Sequence, residues 1–123
     1  MKSRFITVLA AALAMFALAA PAVLAGDKVK DLGGGVFSPE KGVVCDRKAG
    51  FCADGTGISM SWTEKYLGSE AVTKFNKMTE GGSFDGTDFV LSNGVHCKTK
   101  ENACYKSKLS SDPAPNVSKA LFP

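Results

Sequence analysis

Nucleophilic catalysis needs a base, and the sequence offers a single histidine, His96, next to Cys97 in a β-prone stretch. No other metal-ligating residues are grouped with it apart from that cysteine, so a histidine on a sheet face without a catalytic task is the expected reading. Acid and base chemistry would need paired carboxylates. Asp46 with Asp54 and Asp85 with Asp88 are the candidate pairs, and either could also ligate calcium. Asp ordinarily accepts local backbone hydrogen bonds in turns, and all four lie at or beside expected turns, Asp54, Asp85 and Asp88 among glycines and threonines. The segment Asp54-Gly55-Thr56-Gly57 lacks the remaining ligands of a calcium loop. The expectation is therefore no catalytic residue, no metal and no cofactor.

The cysteines carry a stronger signal. Gly42-Val43-Val44-Cys45 recurs as Gly94-Val95-His96-Cys97, Cys52 recurs as Cys104, and Lys48 matches Lys100 in the same register. Six residues separate the cysteines of each pair, whereas paired ligands of structural zinc sites are usually two to four residues apart. No C-x-x-C redox motif is present. The spacing suits a β-hairpin clasped across facing strands, with four-residue loops Arg47-Lys48-Ala49-Gly50 and Thr99-Lys100-Glu101-Asn102, each ending in a residue that tolerates positive φ. Four cysteines allow three connectivities. Local closure by one rule favours Cys45 with Cys52 and Cys97 with Cys104.

Basic residues gather at both hairpins. Arg47, Lys48, Lys98, Lys100, Lys106 and Lys108 cluster on and beside them, and hairpins lying side by side would present one cationic edge to an anionic envelope component or an acidic envelope protein. Lysines on hairpin tips also keep strand edges unpaired, which needs no partner. The formal net charge of +3 falls to +1 without Lys2 and Arg4, so nucleic acid is not an expected partner.

The elements that must position these residues follow from pattern. Lys2 and Arg4 precede an apolar run from Phe5 to Ala20, and Val23-Leu24-Ala25 fits a small-residue cleavage site. Residues 1–25 read as an export signal cleaved near Ala25, which places the product in the periplasm or outside the cell with its disulfides formed and no membrane span. Residues 26–36, with alternating charges and Gly33-Gly34-Gly35, read as a flexible leader. Residues 37–109 read as a single disulfide-stabilised domain, and residues 110–123, with three prolines, as a mobile tail.

Within the domain, Ser61-Trp62-Thr63-Glu64 matches a capping box, and Trp62, Tyr66, Val72, Phe75 and Met78 follow at near-helical spacing, with Gly68 able to break the helix in two. Phe89 to Ser92 is β-prone, and Asn93-Gly94 predicts a two-residue hairpin turn. Strands near 87–92, 95–99 and 103–107 then form a meander that the N-terminal hairpin can extend. The fold class is α+β: two clasped hairpins in an antiparallel sheet with one helix, or a broken one, packed on it.

Ser38 to Asp46, Phe51-Cys52-Ala53-Asp54 with Gly57-Ile58-Ser59, Tyr66-Leu67-Gly68 and Phe89 to Cys97 resemble the Fels prophage protein-like, or YcgJ-like, family of small exported bacterial proteins. The resemblance covers residues 38–107. It implies export and supplies no catalytic or binding residues. The functional expectation is a non-catalytic binding or interaction module; the alternatives are an inhibitor of an exogenous hydrolase such as lysozyme, whose acidic cleft a loop would plug, or a small enzyme using a carboxylate pair.

Overall fold

The computed structural model describes residues 29–123. The export signal expected at 1–25, with its cleavage near Ala25, lies outside the described residues. The fold is α+β with two antiparallel sheets. Five strands, β1 (Lys30–Gly33), β2 (Val36–Glu40), β3 (Val43–Asp46), β4 (Phe51–Asp54) and β5 (Gly57–Ser59), form a meander in sequence order. After helices α1 (Met60–Leu67) and α2 (Ser69–Thr79), strands β6 (Asp88–Val90), β7 (His96–Lys98) and β8 (Ala103–Tyr105) form a separate three-stranded sheet, and α3 (Pro115–Leu121) closes the chain. The second hairpin therefore packs on the first sheet instead of extending it.

Every residue of β3 is buried, because the large sheet is covered on both faces. Val36, Val44, Phe51 and Ala53 point to one side, where Phe75, Phe89, Leu91, the Cys97–Cys104 pair, Val117 and Leu121 complete the main core. Phe51 meets Phe75 and Phe89 edge to face, with ring centroids 5.8 and 5.7 Å apart. Phe37, Val43, Cys45 and Cys52 point to the other side, under Trp62, Tyr66 and Leu67 of α1. The apolar stripe that reads as one amphipathic face thus serves two cores, and the break at Gly68 (φ 96°) lets α1 and α2 reach one each. Met78, at the end of that stripe, is exposed.

Ser59, two residues before the expected cap, begins α1 by accepting the Trp62 N–H at 3.3 Å. Ser61 is inside the helix. Thr63 ties α1 to the sheet: fully buried, its hydroxyl donates to the Ser59 carbonyl (2.7 Å) and accepts the Cys52 N–H (2.8 Å). The hydroxyl continues the β4 ladder where β5 has turned into helix.

Two segments expected to be mobile are built into the domain. The leader contains β1, paired with β2 through Lys30 opposite Ser38. Its glycines make the reversal between them: Gly33, Gly34 and Gly35 have φ of 91°, 64° and 91°, and a Cβ on Gly34 would lie 3.0 Å from that of Asn93. The run reads like a linker but supplies a tight turn pressed against the second sheet. The tail contains α3, in which Pro115 occupies the first turn, where its missing N–H costs nothing, and Ala114, Val117 and Leu121 are buried. The Ala114 N–H donates to the Cys104 carbonyl (2.9 Å), and the Ser118 hydroxyl both accepts the Cys104 N–H (3.1 Å) and donates to its carbonyl (3.2 Å), so the tail covers the free edge of β8.

Candidate functional site

Both hairpins are clasped locally. Cys45 faces Cys52 and Cys97 faces Cys104 in register, with Cα atoms 3.9 and 4.0 Å apart and disulfides formed in both pairs. The loops are residues 47–50 and 99–102, and they end in Gly50 (φ 84°) and Asn102 (φ 54°). The turn at Asn93-Gly94 is longer than expected. Leu91 and Val95 close it, leaving a three-residue loop with Gly94 at φ 91°.

Asp46 holds that turn in place. Its side chain is completely buried at the base of the first loop, where Oδ1 accepts the N–H groups of Lys48 (3.1 Å) and Ala49 (2.9 Å). Oδ2 accepts the Ser92 N–H at 2.6 Å, so one carboxylate shapes the first loop and holds the β6–β7 turn against it. Asp54 stands at the other end of the β3–β4 ladder, so the two do not form a carboxylate pair. Burial opposes ionisation of Asp54 as the largest single influence, but the Thr56 hydroxyl and N–H, the Trp62 indole and the Gly57 N–H together outweigh it and hold the carboxyl below its ordinary range. A carboxyl lowered by folding contributes stability above its unfolded pKa and loses it as pH falls through the folded value. The stability gap between wild type and Asp54→Asn is accordingly expected to narrow between about pH 5 and about pH 2. Denaturation midpoints across that range check it, and a constant gap would contradict it.

Asp85 and Asp88 do converge, with Thr87, Lys98, Lys100 and Glu101, on a shallow groove of about 250 Å³. Asp85 Oδ1 accepts the Thr87 hydroxyl (2.6 Å) and N–H (3.0 Å), which lower its pKa, with a smaller contribution from Lys100. Asp88 Oδ1 meets His96 Nε2 at 2.5 Å, and His96 is buried. Among the described residues no serine, threonine or cysteine is hydrogen-bonded to the imidazole, and no group of three or more His, Cys, Asp or Glu side chains is placed to hold a metal.

The six basic residues are divided among three places. Arg47 and Lys48 lie beside the β6–β7 turn, and the Arg47 guanidinium sits 3.9 Å over the Phe37 ring. Lys98 and Lys100 are at the far end of β7, with Lys98 3.8 Å from Glu101. Lys106 and Lys108 are on the exposed loop after β8.

The first group faces residues that sequence alone did not connect to it. The loop 47–50 forms one wall of a groove of about 350 Å³ whose other wall is the end of α1 and one side of α2. Arg47, Lys48 and Lys74 supply positive charge against one carboxylate, Glu70, and Leu67, Ala71, Phe75 and Met78 supply an apolar lining. Lys74 follows Glu70 by one helical turn, a common surface pattern, and no local signal points to the hairpin across from it.

Fold and site define a class first: a small two-sheet α+β domain whose disulfide-clasped hairpins hold short loops against grooves, the first of them basic. The family model described as YcgJ protein matches residues 36–122, and the chain belongs to that family. It is 39% identical over 71 residues to a protein of Escherichia coli (strain K12) described as "Uncharacterized protein YcgJ"; the match covers 58% of this chain and 54% of that protein, so the chain spans about half the length of this relative. No solved structure matches the chain.

Proposed function

We propose that the protein is an exported, non-catalytic binding module that takes an anionic envelope component bearing an apolar portion in the groove between the first hairpin loop and α2. The groove's composition carries this reading: three cations at its rim and five apolar side chains along its walls, Ala49 of the loop included, suit a ligand with phosphate or carboxylate groups attached to hydrocarbon. The loop's rigidity supports it. Asp46 and the Cys45–Cys52 disulfide hold residues 47–50 before any ligand arrives, so little ordering entropy opposes binding. Two buried disulfides fit an oxidising compartment, in keeping with export.

A non-catalytic role fits the side chains that chemistry would need. Asp46 and Asp54 are engaged in backbone and indole hydrogen bonds, and Asp88 occupies the Nε2 of His96. A loop plugging an acidic hydrolase cleft would use the same rigid cations, but it would leave the apolar walls of the groove without a partner.

The test uses purified lipopolysaccharide, which joins phosphate to acyl chains. Binding is expected to weaken at least about tenfold in the folded variant R47E/K48E/K74E. Equal binding by wild type and variant, or none by wild type, would overturn the reading.

A further inference from the structure

Another groove lies elsewhere, and it is closed by the segment that reads as a mobile tail. Lys30 of β1, Lys41 of the β2–β3 turn and Lys119 of α3 converge on about 480 Å³, with Pro39 and Ala120 also lining it. Lys119 is remote in sequence from Lys30 and Lys41, so no charge run accounts for their meeting. Their backbones are fixed relative to one another: Lys30 pairs with Ser38 across the sheet, the Gly42 N–H donates to the Ala120 carbonyl at 3.0 Å, and Val117 and Leu121 anchor α3 in the core.

Among the described residues none of the three lysines has a carboxylate within 4.0 Å. The one carboxylate lining the groove, Glu40, is engaged by the Tyr66 hydroxyl and by Lys65 at 3.5 Å. The rim is therefore net positive. Three compact ammonium groups around a cleft, without the planar fork of an arginine, suit an ion that offers oxygens in several directions, which describes a phosphate better than a flat carboxylate.

We propose that this groove is a second, separate binding site, for a phosphate-bearing anion held by Lys30, Lys41 and Lys119. It shares no residue with the groove beside the first hairpin, so either site can fail without the other. The phosphate can come from a free phosphate compound or from a lipid headgroup.

The test titrates the purified, oxidised protein with inorganic pyrophosphate at constant ionic strength while amide resonances are followed. Binding to vesicles of phosphatidylglycerol or phosphatidylcholine is measured in parallel. Saturable shifts at Lys41, Gly42 and Ala120 are expected, or binding to phosphatidylglycerol vesicles alone if the source is a headgroup. Either response should weaken at least about tenfold in K41E/K119E, whose changes are on exposed side chains, and should persist in K48E. The proposal is overturned if neither probe binds, if the shifts fall on residues 47–50 instead, or if K41E/K119E binds as wild type does.

Discussion

Asp46→Ala is expected to destabilise the domain by about 3 kcal/mol, because it removes the acceptor of three backbone N–H groups at once. Lys48 and Ala49 lie in a loop that water can reach, so part of their loss is recovered. The Ser92 bond is the one that joins the two hairpins. A domain of this size has a total stability of roughly 5–14 kcal/mol, so the substitution removes a large fraction of it. Asp46→Asn keeps one acceptor oxygen and should lose less, since either the loop or the Ser92 contact can survive. Urea denaturation of the three proteins measures both effects. A loss under about 1 kcal/mol in the alanine variant would mean that the carboxylate does not couple the sheets.

Removing the disulfides should have the larger combined effect. Each closes an eight-residue ring, worth about 2.5 kcal/mol on the chain-entropy estimate. The two cross-links sit in different cores, Cys45–Cys52 under α1 and Cys97–Cys104 in the main cluster, so their losses should be close to additive. Each double-alanine variant also leaves space in the core that its bridge fills, which adds to the loss. With both bridges gone, the chain is expected to be largely unfolded at about 37 °C. All four cysteines are fully buried, so reductant should act only through opening of the fold, slowly without denaturant and quickly with it. A four-alanine variant that melts within a few degrees of wild type would contradict this account.

The hairpins were legible because their information is local. A six-residue cysteine spacing, a four-residue loop and a terminal Gly50 or Asn102 together leave little freedom, and the register has Cys45 opposite Cys52 and Cys97 opposite Cys104. Gly68 stood out locally as a place where the helix can break, but one continuous helix read equally well, and only the packing of two cores decides for the break. What escaped the sequence is non-local. Gly33-Gly34-Gly35 has the composition of a linker, and only its contact with Asn93 shows it to be a packed turn. Ala114, Val117 and Leu121 form a helical stripe, yet prolines on either side of Ala114 mask it until Pro115 is recognised as a helix start. Asp46 looked like an ordinary turn aspartate, which it is for Lys48 and Ala49; its bond to Ser92 spans 46 residues and leaves no local trace.

The candidate site was legible only in half. Arg47 and Lys48 stand out as a charged hairpin tip, but the wall opposite them belongs to α2, and its placement depends on how the chain turns at Gly68 and where Phe75 enters the core. The basic loops also do not merge into one cationic edge, because the β6–β7 turn, and not the loop 99–102, lies beside the first hairpin. The anionic ligand we propose is therefore placed in a groove with apolar walls instead of on a charged edge, and the two differ in what they demand of Ala71.

Ala71 is half-buried in that groove and carries no charge. Ala71→Trp would fill the space while leaving Arg47, Lys48 and Lys74 unchanged. The most direct measurement is the affinity of the Ala71→Trp variant for lipopolysaccharide beside that of wild type, with folding of both verified by circular dichroism. A loss of at least about tenfold is expected, since the apolar portion of the proposed ligand would be excluded. Undiminished binding would show that surface charge alone attracts the ligand and would contradict the groove as its site.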